Sequence, residues 1–338
     1  MSHIEYVNKT LSQPRNKQYT AIDLFAGCGG LALGFAVNGF LTTGYEIDID
    51  CCTTYKTNLQ HACNNISIGT DTVFLSAEVV IGGPPCQPFS VGGLQKGIHD
   101  SRNGFPAFIA AIEQLNPDIW LFENVRGLLY KNKWYLDLVT EQLRELGYII
   151  EMKLVNAVDY GVPQNRERLI VIGHRGEFNF PEKLHRRIPA GEALGSLAVD
   201  APEHSKFLTA SMDRYVANYE KASKCVNPRD LALDRPARTL TCRNLAGATG
   251  DMQRIRLPDG RRRRLTIREA ARLQTFPDWF EFSGKESSIY KQIGNAVPPM
   301  LSYHLARSVL EYLKSNVRYT PQEIKRLNKA WQPELNFA

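Results

Sequence analysis

A doubly wound, mostly parallel α/β sheet with a second, smaller irregular domain is the architecture this 338-residue sequence predicts. Up to about residue 175, short apolar runs alternate with amphipathic stretches, the pattern of strands joined by crossover helices. A glycine-rich turn, DLFAGCGG (23–30), follows the first run and opens a helix. After about residue 176 the alternation stops, and 176–262 is richer in Pro, Arg and polar residues with weak periodicity.

The elements follow in order. YTAIDLF (19–25), LTTGYEI (41–47), AEVVIG (77–82), DIWLFEN (118–124), YIIEMKLVN (148–156) and RLIVIGH (168–174) read as strands. Between them FPAFIAAIEQL (105–115) and WYLDLVTEQLREL (134–146) carry apolar residues at helical spacing. Regular structure resumes with LTIREAARLQTF (265–276), where Thr266 caps and Glu269 sits three residues on. SYHLARSVLEYLKS (302–315) is a last amphipathic helix. The chain shows no internal repeat and no low-complexity tract.

Composition narrows the class. The chain is 43% hydrophobic and 22% charged, ordinary for one large or two medium globular domains. It holds no apolar run of membrane-spanning length, and its polar N-terminus has no signal-peptide core. Seven cysteines without paired CxxC units argue against a disulfide framework or structural zinc, and for a reducing, cytoplasmic setting. Net charge is +6, with eight arginines between Arg254 and Arg272 against Asp259 and Glu269. An arginine run of that density is expected to meet phosphate.

Two stretches carry chemistry. In DLFAGCGGLALGF (23–35), Gly27, Gly29 and Ala32 satisfy a loose dinucleotide fingerprint, and Glu46 ends the next strand. Glycines admit a cofactor close to the backbone, and a carboxylate at the next strand end takes ribose hydroxyls. Nicotinamide and S-adenosylmethionine sites share this arrangement, so the turn alone leaves both open. In IGGPPCQPFS (81–90), Cys86 stands in a stiff turn at the carboxyl end of a strand, where ligands of such sheets bind. It is either a thiol that happens to fall in a turn or a nucleophile held at the sheet edge.

Taken together and in order, DLFAGCGG, GGPPCQPFS, FENVRG, QNRERLIVIG, RLTIREAARLQTFPD and QIGNAVPP resemble the motif series of the DNA cytosine-5 methyltransferases of bacterial restriction–modification type. The resemblance runs from residue 20 to about 300 and implies the fold of the S-adenosylmethionine-dependent methyltransferases. It implies that Cys86 adds to C6 of cytosine, making C5 nucleophilic enough to take a methyl group. Glu123, in FENV, then bonds the amino edge of the ring and supports N3 protonation, with burial raising its pKa. Arg168 meets the cytosine O2, and Arg166 holds the catalytic loop or Glu123 in place, a surface ion pair being the bland alternative. For the cofactor, S-adenosyl-L-methionine, the resemblance implies Phe25, Gly27 and Gly29 at the turn, Glu46 at the ribose, Asp71 at the adenine and Asn295 at the methionine end.

QPFSVGGLQKGIHDSR (87–102) resembles the family's active-site loop, which closes over DNA with a flipped base, and Arg102 is a DNA contact there. Where some relatives fill the vacated space with a side chain, this chain has Gly92. RPARTLTCRN (235–244) carries the Thr239–Leu240 pair expected in a target-recognition domain, and Arg243 suits phosphate or groove contact. The division implied is 1–178, completed by 291–338, for catalysis and cofactor, and 179–290 for target recognition.

The function implied is methyl transfer to C5 of a cytosine in a specific duplex DNA sequence. It implies a monomeric cytoplasmic protein without metal or membrane partner, working beside a separate restriction endonuclease. Three rivals stand against it. An NAD-dependent oxidoreductase explains the glycine turn and Glu46 but not Cys86, Glu123 or Arg168. A non-catalytic DNA-binding homologue has no need of the chemical residues. An RNA cytosine-5 methyltransferase of the same fold has less need of the long segment and the arginine run.

Overall fold

The apolar runs become the strands of one sheet because every second residue faces one of two cores. In the computed structural model, residues 1–12, 17–85, 103–222, 229–247, 250–315 and 317–330 are described. Strands β1 (Tyr19–Leu24), β2 (Phe40–Glu46), β3 (Cys63–Asn65), β4 (Val79–Gly82), β5 (Ile119–Val125) and β6 (Ile149–Asn156) run parallel to one another. After the two-residue β7 (Gln164–Asn165), β8 (Glu167–His174) enters the sheet antiparallel between β5 and β6. The strand order is β3-β2-β1-β4-β5-β8-β6.

Alternation sorts the side chains. Val79, Ile81, Ile119, Leu121, Ile170 and Ile172 join the core under helices Gly30–Ala36 and Pro299–Lys314. Val80, Trp120, Phe122, Leu169 and Val171 join the core under helices Phe105–Leu115 and Lys133–Glu145. Strand order reverses between β1 and β4, and their carboxyl ends open the crevice where ligands of doubly wound sheets bind. Helix Pro299–Lys314 lies against helix Gly30–Ala36 so closely that a Cβ on Gly34 would run into the Ser302 backbone. The end of the chain thereby braces the glycine turn.

Beyond His174 the described strands are only two or three residues long. β9 (Ala237–Arg238) pairs in parallel with β7, and β10 (Arg254–Arg256) pairs antiparallel with β11 (Arg262–Arg264). Helix Ile267–Leu273 starts with the expected capping box: Glu269 N–H donates to Thr266 Oγ1, and Thr266 N–H to Glu269 Oε2. It ends earlier than the apolar pattern suggests, because Thr275 takes a left-handed φ of 62° and turns the chain. Leu245, Ile255, Leu265 and Phe276 extend the first core into this region. Among the described residues, no helix is long and apolar enough to cross a membrane.

Candidate active site

The glycine turn is a strained corner held by its neighbours. Phe25, Gly27 and Gly29 all have positive φ, at 58°, 53° and 89°. At Gly29 a side chain is excluded twice over, since a Cβ would also lie 2.9 Å from the Tyr55 ring. Glu46, at the end of β2, accepts the Gly27 N–H and the Asp48 N–H, each at 2.8 Å. That carboxylate ties the turn to the adjacent strand.

A cavity of about 390 Å³ opens beside it, lined among others by Phe25, Gly27, Glu46, Pro85, Glu123 and Asn295. Its wall also contains Asp23, fully buried, whose Oδ2 has no hydrogen-bond partner. Burial, and secondarily the Glu46 charge, push the Asp23 carboxyl well above the usual range. Burial likewise raises the Cys28 thiol, to about 12, so that cysteine in the same wall is inert. Asp71 is exposed, folded back toward Gly69, and not part of the cavity wall. The structure therefore gives no support to its placement at the adenine.

Cys86, Arg102 and the intervening loop with Gly92 lie outside the described residues. The stems on either side are fixed. Asn124 Nδ2 donates to the Pro84 carbonyl at 2.9 Å, and Gly104 N–H donates to the Pro85 carbonyl at 3.0 Å.

The reversed strand creates the next feature. Because β8 runs antiparallel to β5, its first residues lie beside the last residues of β5, with Arg168 opposite Val125. Arg168 Nε then stands 2.7 Å from Glu123 Oε1, with both side chains nearly buried. The contact is ionic in distance but not aligned as a hydrogen bond, for Glu123 Oε1 has no aligned donor. Glu123 lines the first cavity and Arg168 a second of about 780 Å³, and Val125 belongs to both.

Arg166 is neither exposed nor ion-paired to a carboxylate. It is 1% exposed, and its guanidinium donates to the carbonyls of Leu240 (2.7 Å), Gly294 (3.2 Å) and Ala296 (2.9 Å). Burial first, then Arg168, lower its pKa to about 9. The expectation of a surface ion pair is corrected. As a catalytic group it is replaced by a positioning residue that ties segment 240 and the Asn295 loop to the site.

Two expectations about DNA contact are also corrected. Leu240 is fully buried; its N–H donates to Gln164 Oε1 at 2.8 Å and its carbonyl receives Arg166. It docks the segment onto the sheet and has no surface for DNA. The arginine run is mostly an internal brace. Arg263, fully buried, pairs doubly with Glu269, and Arg254 pairs with Asp230 and Glu220. Arg262 pairs with Asp213 and Asp230, Arg256 with Asp230, Arg261 with Asp259, and Arg272 with Asp278. Arg264 and Arg268 donate to backbone carbonyls. Counting acids only inside the run missed the carboxylates that the fold brings in from 213, 220, 230 and 278. Thr239 does line the larger cavity, with its hydroxyl on the Asn165 carbonyl. Arg243 is exposed and 3.1 Å from Asp251.

Sequence reasoning passed over Asp23, Asn124 and Gln164. All three stand inside the quoted motifs, but nothing in their spacing marks an unpaired buried carboxyl, a loop anchor or a docking amide.

The fold is shared with solved methyltransferases. It superposes on EhMeth of Entamoeba histolytica with a TM-score of 0.66 at 17% identity, covering 89% of this chain and all of that one. It superposes on Dnmt2 of S. pombe with a TM-score of 0.67 at 18% identity, covering 88% and all of that chain. The protein thus shares the fold of these methyltransferases, and the glycine turn with Glu46 and the Asp23 oxygen, unpaired among the described residues, fit S-adenosylmethionine. Residues 19–311 match the C-5 cytosine-specific DNA methylases, and the chain belongs to that family. It is 55% identical to the Type II methyltransferase M.AplI of Arthrospira platensis over 91% of each chain. It is 36% identical to M1.HphI of Haemophilus parahaemolyticus over 86% of this chain and 87% of that protein. Its reaction is transfer of a methyl group from S-adenosylmethionine to C5 of cytosine in DNA.

Proposed function

We propose that this methyltransferase marks one cytosine within a specific duplex sequence, as the protective half of a restriction–modification system whose endonuclease is a separate protein. The observation that carries the reading is the Glu123–Arg168 pair standing between two cavities, one fitted to a cofactor and the other open to a polymer. A cytosine swung out of the duplex can meet both at once. On this reading the protein acts as a monomer in the cytoplasm, where its DNA lies. The similarity to proteins named as Type II methyltransferases supports the restriction–modification assignment.

The mechanism follows from the residues. Phe25, Gly27, Gly29, Glu46 and Asn295 would hold the cofactor, which would supply an electrophilic methyl group, and the Asp23 oxygen would offer it an acceptor. The Cys86 thiolate would add to C6 while Glu123, entering the step in its protonated form, gives a proton to N3, so C5 becomes enamine-like and can take the methyl group. Loss of the C5 proton to a base then re-forms the C5–C6 double bond and expels the thiolate, and N3 returns its proton to the Glu123 carboxylate. Arg168 bonds O2 and stabilises charge on the ring, and Arg166 keeps Leu240 and the Asn295 loop in register. Residues 179–290 form the recognition domain, with Thr239 and Arg243 facing DNA and Arg102 in the closing loop.

Bisulfite sequencing of plasmid from expressing cells tests the reading. It predicts conversion-resistant cytosine at one fixed position of one short sequence. Fully convertible plasmid, with 5-methylcytosine appearing in cellular RNA instead, would overturn it.

A further inference from the structure

The larger cavity holds unsatisfied polar atoms that the reaction itself does not use. Arg229, Arg238 and Gln253 all line it, and among the described residues Arg229 Nε, Arg238 Nε and Gln253 Oε1 are buried without hydrogen-bond partners. Three guanidiniums converge on one carboxylate: Arg229 lies 3.6 Å, Arg238 3.7 Å and Arg243 3.1 Å from Asp251. Of the two acids in the wall itself, Asp230 is taken by Arg254, Arg256 and Arg262, and Glu167 by Arg126. Arg238 also donates to the Asp251 carbonyl at 2.7 Å. Arg229, by contrast, makes no aligned hydrogen bond among the described residues. Its side chain is 27% exposed, with its donors directed by a single long ionic contact.

Charge alone would suit a DNA phosphate. Gln253 argues for something more specific. Gln253 is 2% exposed and its backbone N–H donates to the Asn244 carbonyl at 2.9 Å, while among the described residues its side-chain amide oxygen has nothing to accept. A phosphate offers only acceptors and cannot satisfy that oxygen. A base edge carries donors and acceptors together, and the usual complements are Arg to the O6 and N7 of guanine and Gln to the N6 and N7 of adenine.

We infer that Arg229 and Gln253 are specificity-determining residues, Arg229 reading a guanine and Gln253 an adenine near the methylated cytosine. The inference rests on the reading of 179–290 as the recognition domain. Asp251 is the positioning residue that holds the Arg229 fork, as an orienting carboxylate does in other arginine-to-base contacts.

The test measures kcat/KM on duplexes in which each base of the recognition sequence is varied in turn, with the full-length protein. Arg229→Ala is expected to lower kcat/KM on the preferred duplex about 10- to 100-fold. It should also lose discrimination at a single guanine position, with the remaining preferences intact. Arg229→Gln carries the same readout should the alanine variant fail to bind cofactor. Gln253→Leu should relax a different, adenine position. Arg243→Ala, exposed on the rim, should weaken all duplexes alike and reduce the salt dependence of binding. The inference is overturned if Arg229 variants also weaken all duplexes alike, since that marks a phosphate anchor, or if the preference pattern does not change. A wild-type protein that methylates no DNA is a different failure, that of the underlying reading.

Discussion

Replacing Arg166 by Met takes the donors from three buried carbonyls, those of Leu240, Gly294 and Ala296. A hydrogen bond from a charged donor contributes about 1.5–3 kcal/mol, and the 3.2 Å bond falls at the low end, giving a gross loss of about 6 kcal/mol. Against this, Met relieves the burial of a guanidinium that makes no ion pair among the described residues, a desolvation cost of a few kcal/mol. The net expectation is a destabilisation of about 2–4 kcal/mol. Gly294 and Ala296 flank Asn295 in the cofactor cavity, so cofactor affinity should fall several-fold as well. Urea unfolding followed by circular dichroism reads the first effect, and calorimetric titration with S-adenosylmethionine reads the second. Arg166→Lys keeps the charge but cannot span three carbonyls, and should fall between wild type and Met. An unchanged urea midpoint together with unchanged cofactor affinity in Arg166→Met would refute the bracing role.

Three further outcomes are expected. Glu46→Ala should weaken S-adenosylmethionine binding by about 1–3 kcal/mol, since the mutation removes the proposed ribose acceptor and frees the Gly27 N–H; calorimetry showing wild-type affinity in folded protein contradicts it. Arg263→Met leaves buried Glu269 without its partner and should cost about 3–5 kcal/mol, while the salt dependence of DNA binding stays at its wild-type slope; a shallower slope would return this arginine to the DNA surface. The raised Asp23 pKa means that, above the ordinary carboxylate range, the folded state keeps a proton the unfolded chain has released, so stability falls as pH rises through that window. Asp23→Asn should therefore lose less stability than wild type between pH of about 5 and 8, and parallel urea midpoints for the two proteins would contradict the shift.

Much of the sheet was legible because buried parallel strands are short apolar runs, and β1, β2, β4, β5, β6 and β8 each have one. β3 was not, since Cys63–Asn65 is three residues long and mostly polar. Nor was the direction of β8, although that reversal is what brings Arg168 to Glu123, because a strand's residues do not encode which way it runs. The glycine turn and Glu46 were readable from motif and spacing, and their hydrogen bond bears out the proximity. Leu240 and the arginine run misled for one reason. Polarity and motif position mark a residue's type, whereas its burial and its partners depend on contacts made across the fold, such as Gln164 to Leu240 and Asp230 to Arg254. Gln253 carries no local signal at all; only its unpaired oxygen in a cavity wall distinguishes it.

The central claim is that Cys86 attacks C6 of a flipped cytosine, and a substrate with fluorine at C5 tests it most directly. After addition and methyl transfer, elimination would require loss of fluorine as a cation, so protein and DNA stay covalently joined. Wild-type protein with S-adenosylmethionine and fluorinated duplex should give a band that survives boiling in detergent, and Cys86→Ser should give none, because a hydroxyl is scarcely ionised at neutral pH. A wild-type protein that methylates ordinary DNA yet never forms the band, or a Cys86→Ser variant that forms it equally, would contradict the account.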